Sequence, residues 1–315
     1  MLPAATSDIH SRLNDPDPTV RRVAVMHLLD ADEEDTDELL LTALQDIDAE
    51  VRAEAARLLE GYETDAVVRG LVQALHDSER EVAEAAASSL SELKDPAMGQ
   101  ALLLALPSAD SAFVKAALFR ALRALRRDDA FAPALSALND SNAEVRAAAL
   151  GVLGYLKNPE ALIEIARLAD SDPDTETRRI AVGALGFAAT VQAVAPALKR
   201  ALRDSSWQVR EEACATLGKL LVADAVNDLI AAMNDAYWQV RVKAARSLGK
   251  LKDKTAVAAL IAALSHAVSN LRKEAALALG EIGDTSAVPA LEIALGDPDP
   301  DVRKLARIAL NQIAA

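Results

Sequence analysis

Cysteine is nearly absent: Cys214 stands alone in 315 residues, which excludes an intramolecular disulfide and a cysteine-built zinc or iron–sulfur site. Aromatic residues make up only 3 % of a chain that is 51 % hydrophobic. Small and aliphatic side chains therefore supply the apolar mass, and a single large aromatic core is not expected. No uncharged apolar run approaches the roughly 18 residues of a membrane span. The opening MLPAATSDIHSRLN has neither a basic nor an apolar segment of the secretory kind, so a cytoplasmic location is the default. Histidine is also scarce. His10, His27, His76 and His266 are far apart and lack HExxH or related spacing. With no G-x-S-x-G, P-loop or Rossmann glycine signature either, no catalytic residue, metal site or cofactor is expected.

What the chain does have is a repeat. Aligned on the apolar residue of a Val-Arg pair, ten copies appear, at Val20, Val51, Val82, Val114, Val145, Thr177, Val209, Val240, Leu271 and Val302, always 31 or 32 residues apart. Four places on stands Ala, with Leu118 the exception, and eight places on stands Leu, from Leu28 to Leu310. Places 0, 4 and 8 share one stripe of a helix, which must be its buried face. Upstream lies a second amphipathic segment, clearest in 255–264 and 286–295, ending at a polar turn. In eight copies an aspartate precedes the Val by five: Asp15, Asp46, Asp77, Asp140, Asp172, Asp204, Asp235 and Asp297. Ala109 and His266 replace it in the other two copies. An aspartate there is expected to accept the free N–H groups of the helix that follows. Each unit reads helix, turn, helix, turn, with no strand signal. Such a unit cannot bury its apolar face alone, so neighbours must stack. The expectation is all-α: a right-handed α-solenoid of about ten two-helix repeats, spanning 1–315 as one domain.

The DxxxxVR…A…LG pattern resembles the HEAT-like repeats of phycobilisome lyase subunits and many bacterial proteins. The matching residues are structural, so the resemblance implies the fold. It also implies that the second helix of each repeat lines a concave surface. Two activities found in such solenoids are alternatives here: bilin attachment or cofactor assembly together with a partner subunit, and nucleic-acid binding in the groove. The chain has no His-Glu dipeptide, which argues against the di-iron HEAT hydroxylases. A net charge of −14 argues against phosphate binding, although Arg120, Arg123, Arg127 and Arg179 could make a local basic patch.

Several features bear on binding. Residues 1–105 hold 23 acidic against 8 basic side chains, while the rest is near neutral, an asymmetry able to orient a partner. Within that third, 30–38 is a dense acidic run, either a solvated loop or a docking element for a basic partner. The arginine after the Val recurs in eight copies: Arg21, Arg52, Arg146, Arg178, Arg210, Arg241, Arg272 and Arg303. Bordering the buried stripe, these arginines are expected to pair with a turn aspartate of their own or a neighbouring repeat. Ala83 and Lys115 stand at that place in repeats 3 and 4. Cys214 is expected to be a buried small apolar residue, and the glycines from Gly154 to Gly280 to mark close helix contacts.

Places 2, 6 and 13 and the residue before the Val should face outward. They include Ala53, Ala116 and Ala147 together with most of the candidate partner-binding set, which is Phe113, Arg120, Arg123, Arg179, Gln208, Glu211, Gln239, Val242 and Arg246 with Trp207, Tyr237 and Trp238. The two tryptophans, the only ones, hold the same place in consecutive repeats, each followed by Gln-Val-Arg. Exposed tryptophan beside arginine is what interaction hot spots favour, whereas packing of the turn against the next repeat is the structural alternative. Leu305, Ile308 and Ile313 leave the last repeat more apolar than an end cap, which suits self-association. The function expected is a non-enzymatic scaffold that binds another protein along the second-helix face.

Overall fold

The computed structural model describes residues 6–30 and 35–314, which fall into two compact units, Met1–Leu156 and Lys157–Ala315. The first holds α1 (Thr6–Leu13), α2 (Pro18–Met26), α3 (Thr36–Ala43), α4 (Ala49–Leu58), α5 (Asp65–Ala74), α6 (Arg80–Ser91), α7 (Gly99–Ala105), α8 (Ala112–Leu125), α9 (Phe131–Ala137) and α10 (Ala143–Leu156). The second holds α11 (Leu162–Ser171), α12 (Thr175–Leu185), α13 (Val191–Ala201), α14 (Trp207–Lys219), α15 (Val226–Ala232), α16 (Trp238–Leu251), α17 (Val257–Ala263), α18 (Ser269–Ile282), α19 (Val288–Ala294) and α20 (Pro300–Ala314). No strand occurs among the described residues. Even-numbered helices carry the Val-Arg pair and lie side by side in each unit: α2 on α4, α4 on α6, α6 on α8 and α8 on α10, then α12 through α20 in the same fashion. Each unit is thus a stack of helix pairs in which a repeat touches its sequence neighbours, an α-solenoid.

The buried stripe accounts for the stacking. Every place 0, 4 and 8 is buried except Val20 and Leu310, in the first and last repeats, which are half-buried. A fully buried leucine contributes about 2 kcal/mol, and the alanine between it and the valine lets the next helix come close. Approach is closest where glycine ends the stripe: a Cβ on Gly249 would lie 2.8 Å from Ala278 Cα. Buried polar groups serve the same seam. Ser89 Oγ donates to the Ala56 carbonyl at 2.7 Å and Ser247 Oγ to the Cys214 carbonyl at 2.7 Å, each bond joining consecutive repeats. Cys214 is fully buried, and burial pushes its thiol up to about 12, so it packs rather than reacts.

Local signals set the helix ends. The repeat aspartate is not itself the cap of the following helix, as the sequence suggests. The residue two places later holds that position, as Asp17, Asp48 and Asp174 do with their side chains on N–H groups of the first turn. The repeat aspartate acts one step earlier: Asp46 Oδ1 accepts the Asp48 N–H at 2.8 Å and Asp77 Oδ1 the Glu79 N–H at 2.9 Å, closing the turn. The first helices of several repeats begin with a single 3₁₀ turn capped the same way, by Asp95, Asn158, Asp253 or Asp284.

The outward row needs one correction. Ala53 and Ala116, expected to face outward, are fully buried. Arg22 reaches across from the preceding repeat to Glu50 and Glu54, which flank Ala53 on α4. A methyl group does not rise past such neighbours. The centre of the acidic run, residues 31–34, lies outside the described residues.

Candidate functional site

The turns between paired helices fix the charged groups. Arg52 sends Nε and Nη2 to both carboxylate oxygens of Asp77 in the next repeat, at 2.7 and 2.9 Å, while its Nη1 donates to Asp46 O and Ile47 O in its own turn at 2.8 and 3.1 Å. The same two-sided clamp joins Arg21 to Asp46, Arg178 to Asp204, Arg210 to Asp235 and Arg272 to Asp297. Lys115 makes a single bond to Asp140 at 3.2 Å. Five of the eight arginines are therefore paired with an aspartate as expected, each reaching forward to the next repeat. Hydrogen bonding from Arg52 and Arg210 holds the Asp77 and Asp235 carboxyls below the usual range despite partial burial.

Two junctions differ. His266 stands in for the aspartate, with Val268 N–H on its Nδ1 and Arg241 Nη1 near its Nε2, each at 3.0 Å. Between repeats 3 and 4 both partners are missing. Ala83 occupies the arginine place and Ala109 the aspartate place, and beside them opens a cavity of about 580 Å³.

Three of the four aromatic candidates, Trp207, Tyr237 and Trp238, lie in the second unit. Trp207 and Tyr237 stack with ring centroids 5.5 Å apart and planes at 16°, and the Arg210 guanidinium lies 5.9 Å from the Tyr237 centroid. Asp235 Oδ1, already held by Arg210, accepts the Tyr237 N–H at 2.9 Å, so the turn presenting the ring is pinned. Trp207 is half-buried, while Tyr237 and Trp238 are 46 % and 39 % exposed. Both tryptophans open their helices, α14 and α16, which pack side by side. The other candidates lie on the same helix layer and are mostly engaged. Gln208 accepts from Ser206 Oγ at 2.6 Å, and Glu211 lies 3.8 Å from Lys243. Arg179 holds Glu176 and Glu212, and Arg246 pairs with Glu274. Val242 is half-buried, and the buried Oε1 of Gln239 has no hydrogen-bond partner among the described residues.

Phe113, Arg120 and Arg123 belong to the first unit and form a separate group. Phe113 lines the cavity at the missing clamp, and Arg120 lies 3.7 Å from Glu144. Arg123 and Arg126 flank the exposed Tyr155 ring at 5.7 and 5.6 Å. In the second unit Lys157 and Lys219 flank Phe187 at 5.4 and 3.8 Å. Sequence reasoning passes over these two cation–aromatic clusters. Their signal is an aromatic ten places after the repeat valine in repeat 5 and after the corresponding threonine in repeat 6. At the C-terminal repeat, Ile308 is exposed and Leu305 and Ile313 half-buried. Among the described residues no cluster of potential metal ligands occurs, and no helix is long and apolar enough to cross a membrane.

This stack of clamped helix pairs belongs to the HEAT-repeat family, whose model matches residues 6–91, 38–123, 99–186, 131–218, 165–237 and 226–311. Among solved structures, an engineered protein shares 22 % identity at a TM-score of 0.55 over 99 % of both chains. Kap95p, solved in complex with RanGDP, shares 14 % identity at a TM-score of 0.67, over 98 % of this chain and 50 % of its own. Kap121p bound to the extreme C-terminus of the phosphatase Cdc14p shares 15 % identity at a TM-score of 0.56, over 98 % of this chain and 41 % of its own. The chain thus spans half or less of either karyopherin, and at these identities the likeness is one of fold. A search of curated proteins found no match.

Proposed function

We propose that this chain is a cytoplasmic, non-enzymatic scaffold that binds another protein along its second-helix layer, with the ten repeats working as one domain. Tyr237 and Trp238 at the α15–α16 turn, with Trp207 at the start of α14 stacked on Tyr237, are the anchor. The observation that carries this reading is an exposed aromatic pair on a turn already pinned by Arg210 and Asp235. Large amphipathic rings held in place lose little freedom on binding, so a partner gains their contact area at low ordering cost. The karyopherin relatives, solved with bound proteins, favour the same class of function. The arginines that would bind nucleic acid are largely neutralised in place, Arg120 facing Glu144 and Arg127 paired with Asp129 in the first unit, and Arg179 with Glu176 in the second.

Affinity capture from the source cells, with the wild type beside a Tyr237→Ala/Trp238→Ala variant, tests the proposal. One dominant protein lost from the variant eluate supports it. A coloured wild-type eluate assigns the chain to bilin or cofactor assembly instead, and co-eluting nucleic acid assigns it to nucleic-acid binding.

A further inference from the structure

The junction between repeats 3 and 4 is a guanidinium seat without its guanidinium. At eight repeats the arginine after the Val place donates to the carbonyl of its own turn, five residues before that place. In repeat 3 the corresponding acceptors are Asp77 O and Ser78 O, and the arginine is Ala83. No donor among the described residues bonds either carbonyl, although both residues line the cavity. The carboxylate that would hold the other edge of the fork is missing as well, because Ala109 replaces it. Both members of the pair are absent, so no side chain of the clamp fills the space, and a cavity of about 580 Å³ opens there.

Its walls suit a planar cation. Asp110 and Glu144 line it, and the half-buried Phe113 ring stands beside them. Asp110 Oδ1 is 3.3 Å from His76 Nδ1, and its side chain is 77 % exposed, free to turn toward a ligand. The one arginine on the wall does not fill the seat: Arg80 bonds Glu84 at 2.6 Å and is 89 % exposed. Six of its eleven lining residues belong to the strongly acidic first third of the chain.

We propose that this cavity binds the guanidinium of an arginine supplied by a partner, which takes the place of the missing internal one. The fork donates to Asp77 O and Ser78 O, its other edge meets the Asp110 carboxylate, and its face lies along Phe113. Arginine fits this arrangement better than lysine, because an ammonium has no planar fork to span two carbonyls and a carboxylate. The inference extends the scaffold reading but stands on different residues.

The test is a titration of the full-length protein with acetyl-Gly-Arg-Gly-amide, followed by backbone amide shifts. Saturable shifts at Ser78, Asp110 and Ser111 are expected with Kd on the order of 1 mM, and at least about tenfold weaker binding of the lysine peptide. Free arginine runs alongside. Preference for the blocked peptide assigns the seat to a protein partner, and equal binding assigns it to the free amino acid; both support a guanidinium site. The double variant Ala83→Arg/Ala109→Asp rebuilds the internal clamp, so it should melt higher and lose the peptide. Asp110→Asn, at an exposed position that leaves the fold alone, should weaken binding at least about threefold. No saturable shift in the wild type, equal binding of the lysine peptide, or undiminished binding by Asp110→Asn overturns the proposal. Neither variant touches Trp207, Tyr237 or Trp238, so failure here leaves the aromatic anchor standing, and the reverse holds.

Discussion

Arg52 and Asp77 face each other across two repeats, 25 residues apart, through two parallel hydrogen bonds of 2.7 and 2.9 Å. Their side chains are only 15 % and 13 % exposed, so the pair sits well inside the seam. Breaking it leaves one charge half-desolvated and two carbonyls bare. Arg52→Ala is therefore expected to lower unfolding stability by about 2 kcal/mol, below the 3–5 of a fully buried pair. Arg52→Lys should recover less than half of that, since lysine cannot bridge both oxygens. Urea unfolding of the two variants checks the values.

The carboxylates of these clamps give the stability a direction with pH. The Asp77, Asp235 and Asp297 carboxyls are held below their ordinary 3.8 first by hydrogen bonds from Arg52, Arg210 and Arg272. Asp46 and Asp204 also lie below it, partial burial being outweighed by Arg21 and Arg178. A depressed folded pKa means that the unfolded chain takes up protons first as pH falls. The contribution is thus complete above the ordinary value and is lost as pH drops through the folded one. Melting temperature should be flat from pH 7 to about 5 and fall steeply below about 4; a series of melts in matched salt shows it.

His266 breaks the pattern of the row. A neutral imidazole offers one lone pair, yet Val268 N–H approaches Nδ1 and an Arg241 nitrogen approaches Nε2, each at 3.0 Å. One of these contacts is always without an acceptor. Aspartate satisfies both at the neighbouring junctions, as Asp235 does for Tyr237 and Arg210. His266→Asp should raise stability by about 1 kcal/mol, read from the shift in urea midpoint at constant slope.

Leu221 follows α14 with φ 53°, a left-handed conformation that costs a leucine about 1 kcal/mol. Twelve places after the repeat residue, Gly283 ends α18 with φ 72°. Leu221 is 58 % exposed and so packs little against its surroundings. Leu221→Gly should be neutral or stabilising by up to about 1 kcal/mol, unlike glycine anywhere inside the helix. Differential scanning calorimetry decides the sign.

Most of the fold was legible because spacing alone carries it. The 0, 4, 8 stripe specifies a buried helix face, and thirty of its places can be checked one by one. The arginine–aspartate pairing was legible as chemistry but not in direction. Only the structure shows that Arg52 reaches forward to Asp77 while keeping hold of its own turn. That direction turns two separate oddities, Ala83 and Ala109, into one empty seat. Ala53 and Ala116 were misplaced because helical phase says where a Cβ points, not what arches over it. Exposure of Tyr237 and stacking of Trp207 depend on a turn pinned by Asp235, which no periodicity encodes.

The central claim is that Tyr237 and Trp238 serve a partner and not the fold. Its most direct test is the dissociation constant of the captured partner protein for the wild type and for Tyr237→Ala/Trp238→Ala, with urea unfolding of both. The account predicts a Kd at least about tenfold higher, with a stability loss of no more than about 1 kcal/mol. An unchanged Kd, or a loss of stability as large as that of Arg52→Ala, would contradict it.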